Sequence, residues 1–107
     1  EADTLALQDD VYSAIKIYEK LEATNDILVK LILCNLKCLD FNRVEYLLYH
    51  RLDRFDPYYE FLEKLLDSVR KYHEPKYKKI LREYEHLINN DWMVTILLRI
   101  ENKVWRS

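Results

Sequence analysis

The chain has 107 residues, a formal net charge of −2 and no glycine. Tight hairpin turns, bulges and phosphate-cradling loops need glycine, so its absence speaks against β-rich folds and Gly-rich nucleotide sites. The near-neutral charge speaks against a nucleic-acid partner, and no run nears the ~18 apolar residues that cross a bilayer.

Half of the residues are hydrophobic and a third are charged, which is the composition of one globular domain spanning residues 1–107. Apolar residues recur three and four apart along its length and predict about six helices. The first runs from about Leu5 to Leu21, with Leu7, Val11, Ala14, Ile15 and Tyr18 on one face and the acidic pair Asp9–Asp10 on its solvated surface. The second covers about Ile27 to Leu39 and is apolar nearly all round, so it should be the most buried. Asn42 is the expected cap of a third helix, Arg43 to about Leu52. Asp56 and Pro57 open a fourth, whose stripe is Tyr58, Phe61, Leu62, Leu65, Val69 and Tyr72. His73-Glu74-Pro75 opens a fifth, with Tyr77, Ile80, Leu81, Tyr84 and Ile88 inward. Asn89-Asn90-Asp91 breaks the chain again, and a sixth helix runs from Trp92 to near the end.

Short linkers make neighbouring helices antiparallel. The expected fold is therefore all-α, a tetratricopeptide-like α-solenoid of three stacked hairpins, with Leu31, Leu65 and Leu97 in its core. No internal repeat of fixed period stands out.

Little in the sequence points to catalysis. His50, His73 and His86 fall in separate helices or turns and read as surface or boundary residues. The serines lack a nucleophile-elbow context. Cys34 and Cys38, four apart on one helix face, read as buried reduced thiols with no further metal ligands beside them. Such thiols fit a cytoplasmic setting. Neither an enzyme nor a cofactor-binding protein is expected.

Two features point to a binding surface. Arg70, Lys71, Lys76, Lys78, Lys79 and Arg82 cluster against Glu74 alone, and face either an acidic partner, anionic lipid headgroups or merely solvent. In the last helix Met93, Ile96, Leu97, Ile100 and Val104 form one apolar stripe, and Val94, Leu98 and Trp105 form a second. A terminal helix with one neighbour needs only one such stripe, so the second reads as a wide core face or as a docking surface anchored by Trp105.

The run Asp91-Trp92-Met93-Val94-Thr95-Ile96-Leu97-Leu98-Arg99-Ile100 closely resembles the carboxy-terminal signature of the SNAP proteins. These soluble attachment proteins link SNARE bundles to the N-ethylmaleimide-sensitive fusion ATPase. Arg82-Glu83-Tyr84-Glu85, Lys64-Leu65-Leu66-Asp67 and Ala14-Ile15-Lys16-Ile17-Tyr18-Glu19 are similar to further family motifs, in the same order. The resemblance covers most of the chain and corresponds to the carboxy-terminal half of a SNAP. It implies an adaptor between a helical SNARE bundle and a fusion ATPase, at most peripheral to membranes, with the ATPase contact at Asp67. Two family acids that follow Asp67 are replaced here by Arg70 and Lys71, and the family's acidic tail is absent, since the chain ends Val104-Trp105-Arg106-Ser107. The expected contact face is thus Asp67, Arg70 and Lys71 with Val94, Leu98 and Trp105. The alternative is a divergent helical-repeat scaffold subunit of another assembly.

Overall fold

A computed structural model describes residues 1–8 and 10–106. Asp9, half of the acidic pair, and Ser107 lie outside the described residues. Among those residues the fold is all-helical, with α1 (Ala2–Leu7), α2 (Val11–Lys20), α3 (Asn25–Lys37), α4 (Phe41–Tyr46), a π-helical segment (Leu47–Arg51), α5 (Tyr58–Arg70), α6 (Glu74–Glu83) and α7 (Asp91–Trp105).

Side-chain caps set most of the boundaries. Asp10 accepts a hydrogen bond from the Ser13 amide at 3.4 Å and opens α2, so the single helix expected over Leu5–Leu21 is two. A short acidic side chain that bonds nearby amides starts a helix more readily than it continues one. Thr24 caps α3 through the Ile27 amide at 3.3 Å. Asp40, and not Asn42, caps α4 through the Arg43 amide at 3.2 Å. Asn90 caps α7 through the Met93 amide at 2.9 Å.

After α4 the chain widens into the π-helical segment, where the Leu52 amide donates to the Leu47 carbonyl at 2.8 Å. Bonding from i to i+5 brings residues five apart close to one face. Here it brings Leu52, which an α-helix would align with Leu48 alone, onto the side of Leu47 as well, and all three are buried. α6 stops at Glu83, short of the expected Ile88, and Tyr84 and Ile88 pack on the core from the following loop. The Tyr58 hydroxyl pins that loop by donating to the Leu87 carbonyl at 2.9 Å.

One turn recurs. At the end of α3, Leu39 takes a left-handed φ of 59°, its amide donates to the Leu36 carbonyl, and the Asp40 amide donates to that of Asn35. At the end of α5, Tyr72 has φ 54°, its amide donates to the Val69 carbonyl, and the His73 amide to that of Ser68. Both are Schellman turns built without glycine, and the left-handed residue costs about 1–2 kcal/mol at each. In both, the next residue caps the following helix, Asp40 through its carboxylate and His73 through Nδ1, which accepts from the Lys76 amide at 3.2 Å. The carbonyls of Asn35 and Ser68 occupy the same place in the two turns, and both side chains are buried and bonded back to their own helix. A repeat unreadable in the residue types is thus present in the turns.

Eight of the thirteen residues of α3 are buried, and α2, α4, the π segment, α5 and α7 all pack on it. α6 lies on α5, and α1 lies on both α2 and α7. The all-α fold is the one expected; within it the first and last helices meet, and the principal extents of 35 × 31 × 27 Å are nearly equal. Polar side chains draw α1 and α7 together. The Trp92 indole donates to the Asp3 carbonyl at 3.2 Å, and Arg99 donates to the Leu7 carbonyl. Asp3 itself accepts from the Tyr18 hydroxyl and from Lys30 Nζ at 3.0 Å.

This knot carries a pH dependence. Burial works against the charge on Asp3, but the Tyr18 hydroxyl and the Lys30 ammonium outweigh it, so its carboxyl titrates below the ordinary 3.8. A carboxylate with a depressed folded-state pKa adds stability above its unfolded pKa, and that stability is lost as pH falls through the folded value. Asp3→Asn is therefore expected to lower the melting temperature at neutral pH and to shrink the further loss below about pH 4. Thermal melts of both proteins across that range check this, and parallel acid limbs would rule it out.

Candidate functional site

The outward side of α5 carries the charged residues singled out in the sequence. Asp67 accepts from Lys71 Nζ at 3.1 Å and from Lys76 Nζ at the start of α6. Those two ammonium groups, Lys76 foremost, hold its carboxyl below the ordinary range. Arg70 reaches Glu45 of α4 at 2.7 Å, and its guanidinium lies 5.4 Å from the centre of the Phe41 ring. Lys64 pairs with Glu60 at 3.2 Å, and Lys78 with Glu74 at 3.3 Å. The basic run read from the sequence is thus largely neutralised by acids that folding brings to it. Exposed pairs of this kind contribute about 0–1 kcal/mol each, so they set the pattern of the surface more than its stability.

Beside these pairs a cleft of about 330 Å³ opens between the π segment and α5, lined by Tyr49, Glu63, Lys64, Leu66, Asp67, Arg70 and Lys76. The π turn positions Tyr49, whose ring meets Tyr59 edge-on at 6.3 Å. Burial and the nearby Glu63 carboxylate raise its hydroxyl pKa.

α7 carries the apolar part. Val94 is 44 % exposed and Leu98 52 %, one helical turn apart. Trp105 lies on the same helical face but does not join them. Its ring centre is 4.9 Å from that of Tyr77 in α6, and it packs half-buried against the core. Over its last two turns this face of α7 is covered. The Tyr77 hydroxyl donates to the Leu97 carbonyl at 2.8 Å, Glu101 is buried, and Arg106 lies 3.8 Å from Glu101 and 3.7 Å from Glu74 of α6. The bare stripe is therefore one turn long, and the expected anchor at Trp105 is replaced by a structural contact.

Asp67, Arg70 and Lys71 are gathered on α5, while Val94 and Leu98 stand on a different helix, which packs on α3 and α1. The face expected from the sequence thus draws on two helices that share α3 as a neighbour. Sequence reasoning missed Phe55, 94 % exposed in the turn before α5. It belongs to no helical stripe, and the only signal was an aromatic residue set between Arg54 and Asp56 where a loop should be polar.

Cys34 and Cys38 are free thiols. Burial pushes the Cys34 thiol up to about 12, which keeps it protonated and unreactive. Among the described residues no group of three or more His, Cys, Asp or Glu is placed to hold a metal ion.

The fold and surface define an all-α domain with an ion-paired face on α5 and an apolar stripe on α7. No helix among the described residues is long and apolar enough to cross a membrane. No family model, curated protein or solved structure matches the chain.

Proposed function

We propose that the chain is a protein-binding adaptor of the SNAP type, linking a helical SNARE bundle to a fusion ATPase in the cytoplasm, at or near membranes. The observation that carries this reading is the exposed pair Val94–Leu98. It stands on the helix whose sequence resembles the SNAP signature, and two large apolar side chains one turn apart suit the apolar face of a partner helix. The ion-paired α5 surface suits a rim that orients the partner, because rim charges govern association rate and register more than affinity. Arg70 engaged with Glu45 and Lys71 with Asp67 leave this rim nearly neutral, so its partner surface differs in charge from one made to grip an acidic cluster.

Val94→Asp with Leu98→Asp tests the proposal. The purified chain is expected to retain a fusion ATPase and SNARE proteins from lysate of its source, and the double variant to lose both at an unchanged melting temperature. Retention of neither by the natural sequence would overturn the SNAP reading. The near-spherical packing with α1 against α7 favours a second reading, a self-contained helical subunit of another assembly. Capture of such an assembly through the same two residues would support it.

A further inference from the structure

The two Schellman turns differ in one chemical respect. Each holds a non-glycine residue in the left-handed region, Leu39 or Tyr72, and each passes straight into a helix capped by the next side chain. After Leu39 the cap is the Asp40 carboxylate, which stays an acceptor above about pH 4. After Tyr72 it is Nδ1 of His73, which accepts from the Lys76 amide at 3.2 Å and can do so only while the ring is neutral. The imidazolium carries an N–H on both nitrogens and has no lone pair to offer, and its charge would sit at the positive end of the α6 dipole. Imidazole changes charge between about pH 5 and 8, and His73 is exposed to the solvent that supplies the proton.

Little else holds the start of α6. Pro75 has no amide to donate, and Glu74, Pro75 and Lys76 lie outside the core, so that burial begins only at Tyr77. The Tyr77 amide donates to the His73 carbonyl at 3.2 Å, so His73 receives two of the first amides of the helix. The surrounding charges do not replace the cap. Asp67 of α5 is taken by Lys71 and Lys76, and Glu74 of α6 by Lys78 at 3.3 Å and by Arg106, which follows α7 and also lies 3.8 Å from Glu101. Each of these carboxylates already has a cation. Lys76 joins the cap to the candidate site. Its amide takes the cap, and its ammonium holds Asp67 in the lining of the cleft beside α5.

We infer that His73 is a proton-operated latch: while neutral it holds the first turn of α6 and keeps Lys76 on Asp67, and on protonation it lets that turn loosen and leaves Asp67 to Lys71 alone. A carboxyl near its ordinary pKa of about 3.9 is still ionised in mild acid, so the uncovered Asp67 keeps its charge. Acidification thus changes the α5 surface whatever partner that surface takes, while the turn at Asp40 stays closed.

NMR of the full chain from about pH 7.5 to about pH 5.5 is the test, a range that spans the imidazole titration. The Lys76 and Tyr77 amides are expected to lose roughly tenfold in protection, measured against an unfolded peptide at the same pH, as the cap is lost and a cation is placed at the helix start. The Arg43 amide, capped by Asp40, is expected to keep its protection in the same sample. The carboxyl carbon of Asp67 is expected to shift over the same range. His73→Asn, a cap that does not titrate, is expected to abolish both changes. Steady protection at Lys76 and Tyr77, an equal loss at Arg43, or an unmoved Asp67 resonance would overturn the inference. So would the same changes in His73→Asn, which would assign them to another titrating group such as His50 or His86.

Discussion

Leu65→Ala is expected to destabilise the fold by about 2–5 kcal/mol, the range for a buried leucine whose cavity only partly collapses. Leu65 is fully buried in the middle of α5, a helix that packs on both α3 and α6. Its neighbours Phe61, Leu62 and Val69 are fully buried as well, so several rigid side chains would have to move to fill the space. Close-packed interiors rarely permit that without strain. Urea denaturation is expected to show a lower midpoint with an unchanged slope, since the surface exposed on unfolding is nearly the same. A loss under about 1 kcal/mol would mean that the face of α5 is not the one described.

Trp105→Ala is the second large effect, and it concerns a residue for which the sequence left two readings open, a wide core face and a docking anchor. Read as an exposed anchor, Trp105 would matter for binding and little for folding. Packed on Tyr77 it matters for folding. The ring is half-buried, so the expected cost is about 2–3 kcal/mol, below the 3–5 kcal/mol of a fully enclosed aromatic side chain. Partner capture per folded molecule is expected to stay unchanged. Melting and capture measured together separate the two roles, and weaker capture at an unchanged melting temperature would return Trp105 to the contact surface.

The contrast between Leu65 and Trp105 shows which parts of the fold were legible. Leu65 lies mid-helix in a strong 3.6-residue pattern, and such a pattern specifies its buried face wherever the helix lies. The same holds for Leu31 and Leu97, both buried as expected. Trp105 shares a helical face with Val94 and Leu98, so periodicity gives all three one answer. Their fates differ because Tyr77 of α6 packs on Trp105 while Val94 and Leu98 stay exposed, and the position of a side chain from another helix is not written in the stripe. Helix limits were legible where a proline or an asparagine run marked them, as before α5 and α7. They were misread at Asp10 and Asp40, where one of several polar residues won the capping position through geometry. The charged patch was legible in part, since the Glu60–Lys64 and Asp67–Lys71 pairs follow from i,i+4 spacing. Arg70 looks unopposed in its own segment, yet Glu45, which neutralises it, comes from α4.

The meeting of α1 with α7 ties the fates of the two ends of the described fold. In an open row of repeats, either end can fray while the other stays intact, because each unit leans only on its neighbours. Here the indole of Trp92 near the start of α7 holds the carbonyl of Asp3, and Arg99 holds that of Leu7. Loosening α1 uncovers α7, and loosening α7 strips α1 of its anchors. The described fold thus closes on itself: beside the core gathered on α3, a few polar contacts between residues far apart in sequence couple its two ends.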